Sequence, residues 1–413
     1  VADPRPAVLY LCYQSLLEPL TQTQVVAYLE GLARSGYRLV LLTFEPRPLT
    51  PGEAQDWRGR LAAKGIAWHW RRYHKRPTVP ATSLDILVGI LTGLWLIRHY
   101  RVRMVHARVH VPGVMALALR LLTRVKFLFD VRGLMAEEYA DAGAWRANGT
   151  LFRATKKVER ALVRAADGLV VLTYRGEKLL RNWYRRELRR KPLVVIPCCV
   201  DFRAFPVRRD RTGGPGPGRG APTVAYVGKL GGWYLTREMT DFVAEAARVV
   251  PGLAWQVWTQ SDPAPLRAAA REAGLGEEIL NVGRLPPERV ARELARTDAG
   301  LSFIKPCLSK VASSATKVGE YLAAGLPVVA TAGIGDTDEL LTEPVPGGKP
   351  VGVLVHRFTP DAYREAAVQL GRLLADPDTP ARCREAAERH FHLERVGWAR
   401  YRRLYRQLLG AGR

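Results

Sequence analysis

Short apolar runs alternate with amphipathic stretches along the whole chain. Ala7–Cys12, Tyr37–Phe44, Met104–Ala107, Val125–Asp130, Gly168–Thr173 and Leu193–Pro197 are continuous and rich in Val, Leu, Ile and Phe. That pattern predicts strands buried on both faces. Between them, Thr23–Gly36, Leu84–Tyr100, Val111–Leu122 and Leu151–Ala166 predict helices, with apolar positions three and four apart. In the last of these, Lys156, Lys157, Glu159 and Arg160 are expected on the water side. The alternation predicts a parallel α/β sheet covered on both faces.

The pattern breaks at Arg211–Pro222, which reads RTGGPGPGRGAP. Gly and Pro at this density predict a linker. The alternation then restarts, with strands expected at Thr223–Val227, Ala254–Thr259, Glu278–Val282, Ala299–Ile304, Pro327–Thr331 and Val351–Val355. Two Rossmann-like domains are therefore expected, 1–206 and 223–395, joined by 207–222. Ligands of such sheets bind beyond the carboxyl ends of the strands.

Composition narrows the function. The 413 residues, 47% hydrophobic and 25% charged, suffice for two cores. The net charge of +24 favours anionic partners. It is carried by Arg-rich helices with no basic tail or aromatic-interleaved stripe, so no nucleic acid is expected. Five cysteines, an odd number, fit neither a zinc site nor a disulfide framework and are expected as free thiols. The chain opens on a loop and a strand with no signal-peptide pattern, which suggests a cytoplasmic protein. Leu84–Ile97, about 14 residues including Asp85, is taken as too short to span a bilayer. It exits into Arg98, His99, Arg101 and Arg103, which suits an anionic membrane surface. The same stretch also reads as a helix packed on the sheet.

The richest stretch for chemistry is Phe303–Glu339. A strand leads into a hydroxyl-rich loop and then a helix from about Thr316, ended by Gly325. Strand, polar loop and helix start make an anion site, because free N–H groups and the helix dipole point at the loop. Lys317 adds a positive charge, and Glu320 lies one turn on. Ser313, Ser314 and Thr316 also read as plain caps. After Tyr226-Val227, the turn Gly228-Lys229-Leu230-Gly231-Gly232-Trp233-Tyr234 lets backbone approach a ligand, and Lys229 could face a diphosphate. A solvated lysine on a plain turn fits as well. In the first half, Arg108 and Arg132 follow strand ends and could hold an anion by paired hydrogen bonds. Asp130, Glu137 and Glu138 could orient a sugar hydroxyl or those arginines, and an Asp130–Arg132 structural pair is the alternative. No GxGxxG, P-loop, HExxH or Cys-rich cluster is present, so no nicotinamide, flavin or metal cofactor is expected.

Taken in order, the segments PLTQTQVVAYLEGLARSGYRLVLLTFE, HARVHVPG, FDVRGLMAEE, VVLT, VIPCCVDFRAF, AYVGKLGGWY and LSFIKP…SKVASSATKVGEYLAAGLPVVA resemble one family. It is the large family-four type of retaining glycosyltransferases that use nucleotide-diphospho-sugars. The likeness is to a bacterial subgroup acting in cell-surface polysaccharide synthesis. The resemblance implies a GT-B fold, an acceptor domain and a donor domain facing a central cleft, and a closing helix, 396–413, returning to the first domain. It implies transfer from a UDP- or GDP-sugar to a hydroxyl of a glycan or lipid-linked acceptor, with no metal required. Lys229, Gly231, Ser314, Thr316 and Lys317 would bind the donor diphosphate, with Lys229, Lys317, Arg108 and Arg132 in the catalytic set. Glu320, Arg284 and Leu285 would meet the ribose and base. Asp130, Glu137, Glu138 and Tyr234 would face the acceptor or the sugar. Ala312 replaces the first of the family's paired glutamates, eight before Glu320, which bears on the contacts to the donor sugar. A sugar-nucleotide epimerase or phosphorylase of the same fold, or a non-catalytic basic polysaccharide or nucleic-acid binder, are the alternatives.

Overall fold

The computed structural model describes residues 5–205 and 222–410. The expected linker, 207–222, lies outside the described residues except for Pro222. The chain forms two compact units, one ending at Pro197 and completed from Leu393 onward, the other Cys198–His392.

The first unit is built on seven parallel strands. They are β1 (Ala7–Cys12), β2 (Arg38–Glu45), β3 (Ile66–Arg72), β4 (Val102–Arg108), β5 (Lys126–Asp130), β6 (Gly168–Val171) and β7 (Leu193–Val195), in the order β3-β2-β1-β4-β5-β6-β7. Every residue of β1 is buried, as its unbroken AVLYLC requires. Its register pairs Cys12 with Arg108, and β4 in turn pairs Arg108 with Asp130. Three strand ends thus form one row, at the place where the strand order reverses between β1 and β4.

The second unit has six parallel strands. They are β8 (Thr223–Val227), β9 (Ala254–Trp258), β10 (Leu280–Gly283), β11 (Ala299–Ser302), β12 (Val328–Thr331) and β13 (Gly352–Val355), in the order β10-β9-β8-β11-β12-β13. Here the order reverses between β8 and β11. Its cores are apolar on both faces of the sheet, one around Trp255 and Phe242 and the other around Tyr321 and Leu322.

Several expectations need correction. The boundary lies before 198, because Val200 pairs with His392 and Phe205 joins the second unit's core. The closing segment starts with a π-helical turn, Leu393–Trp398, and continues as the helix Ala399–Leu409. It is anchored on the first unit: Trp398 donates to the Ala27 carbonyl at 2.9 Å and Arg400 to that of Val195 at 2.7 Å. The helix expected at Leu84–Tyr100 runs 23 residues, Thr78–Tyr100. By length and composition alone it could cross a membrane, so the 14-residue estimate was short. Part of it is buried, however, and Asp85 lies wholly inside, where it accepts from Tyr13 at 2.6 Å and from the His74 backbone at 2.9 Å. Glu159 is not on the water side but fully buried. It lies among His110 at 3.0 Å, Lys156 at 2.5 Å and the Tyr184 hydroxyl.

Candidate functional site

The reversal between β8 and β11 brings two loops together in the second unit. Beyond β8 the chain turns through Gly228, Gly231 and Gly232, all at positive φ, which glycine adopts without strain. The turn folds onto the chain beyond β11: Tyr234 pairs with Ile304, and Lys305 N–H donates to the Trp233 carbonyl at 2.9 Å. The second loop passes through a 3₁₀ turn, Leu308–Ala312, into the helix Thr316–Ala323. Its N-cap, Ala315, offers no side-chain acceptor, so the first N–H groups remain available to a ligand.

Lys317 stands in the first turn of that helix and reaches back over the β8 loop. Its Nζ lies 3.8 Å from the centre of the Tyr234 ring and 5.1 Å from that of Tyr226. The Tyr226 hydroxyl donates to the Lys229 carbonyl and so fixes the turn. No carboxylate pairs with Lys317 among the described residues. Burial pushes its pKa down to about 8, with Glu320 acting in the opposite sense. Burial likewise raises Glu320 to about 7, against the pull of Lys317. Desolvation thus opposes both charges, and an incoming anion would favour the ammonium.

The other expected residues of this unit gather on the same sheet edge. Lys229 is exposed on the Gly turn. Gly231 N–H donates to Thr236 Oγ1 at 3.0 Å, so it is committed to the turn. Ser314 Oγ accepts from Cys198 N–H at 3.2 Å, and Thr316 is half-buried. Arg284 is exposed and Leu285 half-buried just past the end of β10. β10 lies two strands from β8, about 10 Å along the sheet. Tyr234, expected on the sugar side, carries Lys317 on its ring. Ala312 is buried. Sequence reasoning missed Tyr226 as a platform and also missed Lys310, whose Nζ sits 4.0 Å from the centre of the Trp233 ring. The aromatic residues of YVGKLGGWY were the available signal.

The first unit holds a second polar cluster, at the ends of β4 and β5. Asp130 is buried, with Arg108 Nη1 at 4.0 Å, Arg132 Nε at 3.9 Å and His106 Nε2 at 3.8 Å. The Tyr401 hydroxyl donates to it at 3.0 Å. Burial alone would raise the Asp130 pKa, but Arg132, His106 and Arg108 hold it below the usual range. Burial keeps His106 below its usual value and hence neutral, with Nδ1 hydrogen-bonded to Tyr405 at 2.8 Å. Two guanidiniums and one carboxylate leave an excess positive charge. Arg108 is buried, and its Nη1 has no hydrogen-bond partner. Arg132 adopts a left-handed φ of 57° and reaches Gln24 at 3.3 Å. Glu137 turns away into the protein, where Lys156 holds it at 2.9 Å. Glu138 is half-buried beside Gly133. Arg108, Asp130 and Arg132 therefore come together, and Glu137 does not join them.

Asp336 and Asp338 have the spacing of a DxD pair, which the sequence reading overlooked. Asp338 accepts from Gly333 N–H at 2.8 Å and 3.1 Å. Among the described residues no group of three or more His, Cys, Asp or Glu could hold a metal ion.

Residues 21–199 match the family profile described as a glycosyl transferase 4-like domain. No curated protein matches the chain. Solved structures are similar over nearly the full length. Sucrose-phosphate synthase from Thermosynechococcus elongatus is 19% identical with a TM-score of 0.69, over 98% of this chain and 99% of that one. A glycosyltransferase from Rickettsia africae is 12% identical with a TM-score of 0.72, over 98% and 99%. The HepE protein of Anabaena, in complex with UDP and glucose, is 12% identical with a TM-score of 0.66, over 97% and 99%. The fold, two parallel-sheet Rossmann-like units, is that of the GT-B glycosyltransferases.

Proposed function

We propose that the protein is a glycosyltransferase that moves a sugar from a UDP- or GDP-sugar to an acceptor hydroxyl with retention of configuration. One observation carries the reading. Lys317 presents an ammonium that forms no salt bridge with a carboxylate among the described residues, over two tyrosine rings, at an uncapped helix start where the strand order reverses. A nucleoside diphosphate supplies the missing negative charge. The glycosyl transferase 4-like match over 21–199 and the UDP and glucose bound by Anabaena HepE support the same chemistry.

Breaking the bond between the sugar and the diphosphate builds negative charge on the leaving phosphate. Lys317, Lys229 and the N–H groups of Thr316 and Lys317 stabilise that charge in the transition state. In this reading they take the part a divalent cation would otherwise play. No side chain acts as a nucleophile in this reading. A leaving-phosphate oxygen accepts the proton of the acceptor hydroxyl on the face from which the diphosphate departs, which keeps the anomeric configuration. Arg284 and Leu285 would meet the base, and Glu320 the ribose. Arg108 and Arg132 serve the acceptor, a glycan or a lipid-linked sugar.

The test is a panel of UDP- and GDP-sugars, each assayed for hydrolysis and for transfer, with the anomer of the product read by NMR. Release of nucleoside diphosphate that rises with added acceptor and yields a product of unchanged anomeric configuration is expected. A product of inverted configuration would remove the retaining mechanism. Isomerised donor without acceptor would point to an epimerase instead.

A further inference from the structure

The helix Thr78–Tyr100 carries no charged residue from Ile86 to Ile97, yet one side of it faces water. Leu87 is 53% exposed, Leu91 58% and Trp95 50%, and Leu84 precedes them on the same stripe. The spacing of four, four and three puts them on one face, about 16 Å long. The neighbouring helix His110–Thr123 extends the face. Gly89 lies against Met115 and Gly93 against Leu119, so the two helices run side by side in the same direction. At the end of the second, Leu121 is 75% exposed and Leu122 64%. Another surface helix of this unit shows the contrast: Thr150–Ala165 turns Arg153, Lys157 and Arg160 outward. A row of exposed apolar side chains along one helix, with more at the end of the helix packed beside it, marks a surface that meets something.

The charge around the face says what it meets. Residues 57–136 hold fifteen Lys and Arg and only two acidic residues, Asp85 and Asp130, which accounts for more than half of the net charge of +24. Both acids are buried. Arg72, Lys75 and Arg76 stand exposed before the long helix, and Arg98, Arg101 and Arg103 after it. The Trp95 ring stacks on His99 with centroids 5.1 Å apart, near the basic end. Two copies of a face rimmed by one sign of charge repel each other, so a homodimer through this surface is disfavoured. An anionic bilayer is complementary to both features. Leu and Trp enter the interface, and the Arg and Lys ends meet the headgroups.

We infer that the exposed face of Thr78–Tyr100, with Leu121 and Leu122, docks the first unit onto an anionic lipid bilayer, with the long helix lying in the plane of the surface. It does not cross the bilayer, because its opposite side, with Asp85, is packed inside the unit. The acceptor end of the reaction would then operate beside a lipid surface.

The experiment is sedimentation of the full chain with vesicles of phosphatidylcholine alone or mixed with phosphatidylglycerol. The expected result is pelleting with the mixed vesicles at low salt, release at about 0.5 M salt, and little binding to neutral vesicles. A variant with Leu87→Glu, Leu91→Glu and Trp95→Glu should partition at least about tenfold less, with unchanged nucleotide titration and thermal melting. Should that variant misfold, Lys75→Ser with Arg98→Ser leaves the apolar face intact and should weaken binding to the mixed vesicles several-fold. No pelleting at low salt, or equal pelleting of wild type and a folded variant, would overturn the inference. So would a wild-type dimer that the variant dissolves, which would make the face a protein interface. Loss of lipid binding with intact nucleotide binding would leave the proposed reaction standing.

Discussion

A Cβ at Gly228 would lie 2.5 Å from Cε of Lys317 and 2.8 Å from its Nζ. The lysine therefore rests against the backbone of the β8 loop, and only glycine leaves it room. Gly228→Ala is expected to displace the ammonium from the Tyr234 ring and to weaken nucleotide binding about as much as Lys317→Ala. The double variant should lose little more than either alone, since both remove one contact. Calorimetric titration with UDP and GDP reads this, and fully additive losses would show that the two residues act apart.

Lys317 should govern the pH dependence of donor binding. Its pKa in the free protein is depressed to about 8, and a bound diphosphate favours the protonated form. Affinity should be flat below pH 8 on this account and fall as pH rises above it. The Lys317→Ala variant should lack that fall. A titration series between pH 6.5 and 9.5, roughly the range that brackets the depressed lysine, checks the slope.

The same depressed value implies a cost in the free protein. A lysine whose folded pKa lies below its unfolded one destabilises the fold while charged, and the cost fades as pH rises from about 8 toward the ordinary lysine range. Lys317→Met should therefore melt slightly higher than wild type at pH 7, by about 1 kcal/mol at most, because the residue as a whole is half-buried and the substitution also gives up the ammonium's contacts with two tyrosine rings. It should also lose the rise in melting temperature that nucleotide gives the wild type.

Glu159 should matter for folding and not for chemistry. It is fully buried, and although burial alone would raise its pKa, His110 and Lys156 bring it to about 2. Its contribution is present above its unfolded value, about 4.3, and is lost as pH falls toward 2. Glu159→Ala leaves buried His110 and Tyr184 without their carboxylate and Lys156 with Glu137 alone, and should cost about 3–5 kcal/mol in chemical denaturation. Surviving folded enzyme should keep its affinity for nucleotide.

Arg108→Met should act on the acceptor side. Asp130 would keep Arg132 and Tyr401, so the cluster should persist. Donor binding by calorimetry should be unchanged while KM for the acceptor rises at least about tenfold, the loss expected for one charge-assisted contact. An unchanged acceptor KM would assign Arg108 to structure alone.

These groups were unequally legible in the sequence. β1 could be read directly, because AVLYLC is unbroken and wholly buried. β3, IAWHWRR, was passed over: as an edge strand it carries polar and charged side chains that blur its period. Lys317 was legible as a first-turn lysine after a hydroxyl-rich loop. Its platform was not, since Tyr226 and Lys317 meet only because β8 and β11, distant in sequence, are neighbours in the sheet. Glu159 was misread because its sequence neighbours are charged. Its burial is decided by His110 and Tyr184, which arrive from other helices.

The most direct measurement is calorimetric titration of UDP and GDP, at pH 7, into the wild type and into Lys317→Ala. Binding of at least one nucleotide to the wild type is expected, weakened by about tenfold or more when the ammonium is removed. Equal affinity in both proteins, or heat from neither nucleotide, would contradict a diphosphate seated on Lys317.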